Sequence, residues 1–457
     1  MRPVTSSVAV GLGGCVLVAL LGAACTASGE SVRPPSDQFV FPTGMAITPD
    51  DSLLFVANAN SELRYDSGSV LTVDLDVVDQ VANAWVASGT KPDGCTRDAD
   101  HTESLICDEA MFLRPDAAVR IGNFATDVGV QDTGNGTFRL ILPVRGDPSI
   151  TWVDWDGSKL NCAGTAEGFS LCDDAHRLSA IHGDPSIGTI AAEPFGVFAD
   201  STGQFAIVTH LTTGAITLVD SRPGADAEIA DVLQNAFLPD PTTGVRGSTG
   251  VAGRSPGSLS DMVYVGSRSE DRIQTVTVGR PVNDAPPYLL QGAWFFLDFI
   301  GGNSGSSSDT RGMAFSPSGN RLYTINREPP TLQIFDTSPG PDGFPQNRGV
   351  GGSDICRQAS TVSVMDSGDG ERAYLTCFQD GEMYVVDPRG TSQVTDIVTV
   401  GRGPYAIATA ATRKKVYVSN FLEDTVSVID AAPGSPTRDR VVLRMGVSKS
   451  ATATGNP

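Results

Sequence analysis

Apolar and polar positions alternate along this chain in short runs that return on a fixed schedule. The segment GPYAIATAATRKKVYVSNFLEDTVSVID at 403–430 holds one whole unit: an apolar strand, a turn, a second strand VYVSN and a third strand TVSVID. Gly44 and Phe55 are eleven apart, as are Gly196 and Ile207, Gly312 and Tyr323, and Ala406 and Tyr417. Thirteen residues later Asp220, Asp336 and Asp430 close the last three of these units, and Tyr374 keeps that second spacing with Asp387. A looser unit runs from Gly129 through Ile141 to Asp154, and the weakest surrounds Tyr264, which brings the total to seven.

Within the third strands, residues two and four before the aspartate are apolar: Ile216 and Leu218, Leu332 and Ile334, Met383 and Val385, Val426 and Val428. That period of two is the strand signature. Turn residues at 49–52, 200–203, 316–319 and 366–370 separate the first strand from the second and predict hairpins, not phosphate cradles. A sheet of three or four short strands buries neither face alone, so the units must stack, and radial stacking shields most strand edges. The expected fold is all-β: a single seven-bladed β-propeller.

VYVSN at 416–420, LFVAN at 54–58 and LYTIN at 322–326, each followed by an apolar strand, resemble the YVTN family of propeller repeats. The resemblance implies the propeller architecture over nearly the whole mature chain. It implies little about function, because the family spans binding proteins, surface proteins and lactonase-like enzymes.

The N-terminus adds a compartment. Met1 and Arg2 precede an apolar run from Val8 to Ala24 that ends in LLGAAC at Cys25, the pattern of a cleaved secretory signal peptide. The ending resembles a lipobox with Leu21 one position too far from the cysteine, so Cys25 is the expected lipidation site and plain cleavage after Ala24 is the alternative. The expected organisation is a signal peptide at 1–24, a flexible tether at 25–36, the propeller at 37–450 and a disordered tail at 451–457. The last strand, 439–447, is expected to complete the final unit, with residues 37–41 adding beside it to close the ring.

Cys95, Cys107, Cys162, Cys172, Cys356 and Cys377 fall into three close pairs, expected as disulfides in an oxidising compartment. The net charge of −21 excludes the positive footprint that nucleic acid requires. The 50 glycines and 29 prolines suit a turn-rich β domain, with surplus length in loops near 77–123, 156–190, 222–250 and 279–308.

Candidate chemistry is sparse. His101, His176, His182 and His210 are the four histidines, and His210 takes the slot that Asn58, Asn326 and Asn420 fill elsewhere, which predicts a polar turn residue. Asp173, Asp174 and His176, and separately Asp98, Asp100, His101 and Glu103, offer metal-ligand atoms without the spacing of a known metal loop. DTGNGT at 132–137 and DSGDG at 366–370 are expected to be turns, and Asp154, Asp220, Asp336, Asp387 and Asp430 to accept backbone amide bonds at strand ends. The aromatic run 288–300 around Trp294 predicts a buried outer strand, or else an exposed contact patch.

No catalytic residue, metal or cofactor is expected. The chain is read as a lipid-anchored binding scaffold of the bacterial cell envelope, outer-membrane or periplasm-facing, with a membrane and an envelope protein or glycan as partners. A lactonase-like hydrolase or redox accessory subunit using the channel mouth is the alternative.

Overall fold

The computed structural model describes residues 32–447, apart from 163–168, 255–258, 260, 282–284, 298–308 and 391. Seven antiparallel sheets follow one another along the chain and stand around a common axis, a seven-bladed β-propeller. The innermost strands are Pro42–Ile47, Gly129–Gly134, Pro194–Ala199, Ser248–Gly253, Thr310–Phe315, Ala359–Asp366 and Pro404–Ala410. They numerically open blades 1 to 7, and each blade then builds outward by hairpins.

Burial follows from this geometry. A middle strand packs against a neighbouring blade on both faces, so LLFVAN, FAIVTH and KVYVSN are buried at every position, and their alternation is lost there. Each neighbouring pair of blades shares its own apolar cluster; Tyr323 and Ile334 of blade 5, for example, meet Val362 and Leu375 of blade 6. Tyr264, Tyr323, Tyr374 and Tyr417 hold one position in the second strands of blades 4 to 7, all fully buried.

The seam between blades 1 and 7 departs from expectation. The strand Arg440–Met445 completes blade 7, but residues 37–41 form no strand beside it. An insertion of blade 1 takes that edge instead: Leu105–Cys107 pairs in parallel with Arg440–Met445, and Cys95–Arg97 pairs with Leu105–Cys107, so blade 7 has six strands. Phe39, Val40 and Phe41 are buried at the seam, with the Phe41 N–H donating to Asp424 Oδ1 at 2.7 Å. The reason is reach: these residues lead directly into the innermost strand, so they lie near the axis and not at the outer rim.

The same insertion carries a helix, Leu75–Ser88, where sequence reading expects a loop. Asp74 caps its N-terminus by accepting from the amides of Asp76 and Val77, and Gly89 closes it in the left-handed conformation at φ 67°. Leu75, Val78, Val81 and Ala82 form its buried stripe and join the cluster that closes the ring. Arg413 of blade 7 reaches back to this helix, 2.6 Å from Asp76 and 2.7 Å from Asp79.

All three expected disulfides form: Cys95–Cys107 across the added hairpin, Cys162–Cys172 beyond the third strand of blade 2, and Cys356–Cys377 at the start of blade 6. They fit an oxidising, exported setting. No described helix is long and apolar enough to cross a membrane. The expected signal peptide at 1–24, Cys25 and the expected tail 451–457 lie outside the described residues.

The outer strand Tyr288–Phe296 corrects the burial expected of the aromatic run. Only Leu289 and Phe295 tuck inward, while Tyr288, Leu290, Trp294 and Phe296 are 43%, 49%, 49% and 63% exposed. An outermost strand pairs along one edge only and extends past the neighbouring blades, so most of its side chains stay uncovered.

Candidate functional site

One end of the channel is defined by a repeated pair that joins the start of the innermost strand to the end of the second. The pairs are Pro42 with Asn58, Ala125 with Val144, Pro194 with His210, Ser248 with Ser267, Thr310 with Asn326, Ala359 with Cys377 and Pro404 with Asn420. These pairs fix equivalent positions, so residues that break the pattern stand out.

Two residues past the pair, the innermost strands crowd together. The equivalents are Gly44, Gly196, Gly250, Gly312, Ala406, Thr361 and Asp127. A Cβ on Gly44 would lie 2.6 Å from the Asp127 backbone, and one on Gly196 would lie 2.7 Å from the Thr249 carbonyl, which explains the small residues. Asp127 is the sole carboxylate of this layer. Its Oδ2 accepts from the Val197 amide at 3.0 Å and its Oδ1 from the Val128 amide at 2.9 Å. Burial outweighs those bonds and pushes its carboxyl up to about 6.

The position just after the second strand reads Ala59, Arg145, Leu211, Arg268, Arg327, Phe378 and Phe421 around the ring. The adjacent innermost strands add Arg311 in blade 5 and Tyr405 in blade 7. Tyr405 is half-buried and its hydroxyl is held above its ordinary value, first by desolvation and then by the Asp127 charge, opposed by Arg311, Arg145 and Arg327. These groups come from blades 2, 5 and 7, which are not all neighbours in the ring, so they meet across the axis.

The mouth therefore has two unlike walls. On one side Arg145 pairs with Glu193 at 2.5 Å, Arg311 with Asp309 at 2.7 Å and Arg268 with the same Asp309 at 3.3 Å. Arg327 donates its Nε to the Ala359 carbonyl at 3.0 Å, and among the described residues no carboxylate lies within ion-pair distance of it. Desolvation and the neighbouring Arg311 lower its guanidinium to about 10. On the other side Phe41 and Phe421 have ring centroids 5.2 Å apart, Phe378 and Phe421 6.1 Å, and Tyr405 and Phe421 6.4 Å. A cavity of about 220 Å³ opens beside the charged wall, lined by Asp240, Thr243, Val245, Arg268, Asp309 and Glu328.

Threonine hydroxyls fasten the blades at this level. Thr43 donates to the Ala125 carbonyl at 2.7 Å, Thr126 to Phe195 at 2.5 Å and Thr361 to Tyr405. The mouth is consequently a rigid rim whose side chains are presented by short, paired strands.

The residues singled out from sequence lie elsewhere. His210 ends the second strand of blade 3 and is fully buried, its Nε2 2.8 Å from Thr217 Oγ1 and its Nδ1 3.2 Å from the Ala192 carbonyl. It is an interior bonding residue, where a polar turn residue was expected, because the second strand is covered by blades on both sides; desolvation lowers its imidazole to about 4. His176 bonds Asp173 at 2.6 Å and stacks on Trp152 at 4.0 Å, so Asp173, Asp174 and His176 form a capped surface turn. Asp98, Asp100, His101 and Glu103 belong to the hairpin on the edge of blade 7, and His182 lies 3.5 Å from Glu228. Among the described residues, no group of three or more His, Cys, Asp or Glu side chains is arranged to hold a metal ion.

The turn readings hold. Asp132 accepts from the Gly134 amide at 2.7 Å and Asp366 from the Gly368 amide at 2.8 Å. Asp220, Asp336, Asp387 and Asp430 each accept an amide two residues on, whereas Asp154 instead takes Arg139 in a two-pronged pair.

Sequence reading named the channel mouth only as the place of its alternative and picked out none of the residues there. The available signal was the residue following each VYVSN-like strand: three arginines and two phenylalanines in seven slots.

No protein-family model and no curated protein matches the chain. Solved structures do match in fold. A Bacteroides fragilis protein provisionally assigned as a 6-phosphogluconolactonase aligns with TM-score 0.54 and 13% identity over 88% of this chain and 99% of its own. The β-propeller domain of Cps50 (Swd1) from Myceliophteria thermophila aligns with TM-score 0.52 and 11% identity over 87% and 98%. The periplasmic gluconolactonase of Pseudomonas aeruginosa aligns with TM-score 0.50 and 14% identity over 80% and 87%. At these identities the likeness is one of architecture.

Proposed function

We propose that this protein is an exported propeller of the YVTN type, lipid-anchored through Cys25 to the cell envelope, that works as a binding module with its ligand seat at the channel mouth. The observation that carries the reading is the break in repeat equivalence at that rim. Scaffold positions need only small or apolar residues, and here they hold Asp127, Arg145, Arg268 and Arg327. Charged groups gathered in a concave mouth mark a candidate ligand seat, and Arg327, which has no carboxylate partner among the described residues, is the one the ion pairs of the fold do not account for. Export is supported by the three closed disulfides and by the N-terminal signal pattern. Radiolabelled palmitate incorporated by the wild type and not by Cys25→Ser checks the anchor.

A second reading has one observation in its favour. A carboxyl held near 6 at a mouth lined by arginines is suited to general-base activation of water beside a polarised lactone carbonyl, and two of the fold relatives carry lactonase names. Assays of simple γ- and δ-lactones with the wild type and Asp127→Asn separate the two. The binding reading expects no hydrolysis that depends on Asp127. A rate above background that falls at least about a hundredfold in Asp127→Asn, in line with the usual contribution of a general base, replaces it with the hydrolase.

A further inference from the structure

We propose that the mouth selects a small organic anion, a carboxylate or phosphate ester whose charged head meets Arg327 and Arg311 while an apolar or ring-shaped body rests on Phe421 and Tyr405. The inference rests on the binding reading above and names the chemistry of its ligand.

The distribution of ion pairs gives the head. Arg145, Arg268, Arg311 and Arg327 stand around the mouth with Asp127, Glu193 and Asp309, and Asp240 and Glu328 line the cavity beside Arg268. Glu193 and Asp309 are spent on Arg145, Arg268 and Arg311, and Asp127 is turned onto the Val197 and Val128 amides. Arg327 is left with one bond to a neutral carbonyl, and its nearest charges are Arg311 and Arg268, opposed in part by the Asp309 carboxylate that those two arginines already hold. A half-buried guanidinium in that state is destabilising unless something negative joins it. That guanidinium, without a carboxylate partner, lies at the channel mouth, where low-dielectric walls concentrate its field. Arginine also presents paired N–H donors that match a carboxylate or phosphate.

The opposite wall gives the body. Phe41, Phe378, Tyr405 and Phe421 form one contiguous aromatic set, and Tyr405 belongs to both walls because it senses the arginines and its tilted ring lies beside Phe421. Such rings gain little from an inorganic ion and much from an apolar or planar group.

Titration calorimetry on the full chain tests this, with benzoate and phenyl phosphate as ring-bearing anions, benzamide as the neutral isostere, and acetate and inorganic phosphate as heads without a body. Benzoate or phenyl phosphate should bind at least tenfold more tightly than benzamide, acetate and inorganic phosphate. Arg327→Gln should lose at least tenfold, Arg327→Lys should recover part of it, and Phe421→Ala should weaken the ring-bearing anions alone, each variant retaining the β-sheet circular dichroism of the folded chain at the assay temperature. The two strong arms differ in geometry, so preference for one identifies the head as carboxylate or phosphate ester. Benzamide binding as well as benzoate, with loss in Phe421→Ala, overturns the anion proposal but leaves the mouth as a ligand seat. Absence of any binding at millimolar probe, with Asp127-dependent lactone hydrolysis, overturns both.

Discussion

Replacing Arg413 by alanine should open the ring at its seam. Arg413 belongs to the inner hairpin of blade 7, yet all its polar contacts are in blade 1: the Asp51 carbonyl at 2.5 Å, the Leu75 carbonyl at 3.1 Å, Asp79 at 2.7 Å and Asp76 at 2.6 Å. Asp76 is 80% exposed and contributes at most about 1 kcal/mol, as exposed ion pairs do. Asp79 is only 19% exposed opposite an Arg413 that is 14% exposed, and stripping one partner from such a pair costs about 3 kcal/mol or more. The expected loss is about 3–4 kcal/mol in urea unfolding with the disulfides intact. Arg389→Ala is the control, since Arg389 is 55% exposed and pairs with Asp387 inside its own blade; it should cost about 1 kcal/mol or less. Equal, small losses in the two variants would refute the idea that the helix Leu75–Ser88 and Arg413 hold the ring closed.

Three further outcomes follow from the same structure. Tyr417→Phe should stabilise the protein by about 1 kcal/mol, because its buried hydroxyl has no partner, whereas Tyr323→Phe at the equivalent position should cost about 1 kcal/mol by losing its bond to Glu371; chemical denaturation of both variants reads the opposite signs. His210→Asn restores the residue of blades 1, 5 and 7 and should flatten acid sensitivity. The imidazole is lowered to about 4 in the folded chain, so its contribution is present above its ordinary value of 6.5 and is lost as pH falls from there toward 4, at most about 3 kcal/mol; unfolding free energies at pH 7 and 4.5 should diverge less in the variant. Replacing Cys95 and Cys107 together by serine should cost about 3 kcal/mol, from their separation of 12 residues, with hydrogen exchange rising first at Leu105–Cys107 and Arg440–Met445.

Fold was written in the chain far more openly than the site. The spacing from Ala406 to Tyr417 to Asp430 sets a strand register that blades 3 and 5 repeat residue for residue, since a period of two admits no slip without turning apolar side chains to water. The helix at 75–88 escaped because it occurs once, inside an insertion, and repeat reasoning has no information about what does not repeat. Closure by residues 95–107 escaped for a related reason: parallel pairing between segments over three hundred residues apart leaves no local mark. The mouth was hidden differently. Arg145, Arg268 and Arg327 look like ordinary loop arginines until strand pairing brings their positions into register around one axis. His210, conspicuous as one of four histidines, proved to be interior hydrogen-bonding material.

The most direct test of the central claim is to locate a bound ligand by hydrogen–deuterium exchange of the full chain with and without saturating benzoate. Slowed exchange confined to the backbone around Asp127, Arg311, Arg327 and Tyr405, and absent in Arg327→Gln, is the predicted result. Protection that falls instead on the outer strand Tyr288–Phe296 or on the hairpin at 95–107, with the mouth unchanged, would contradict it.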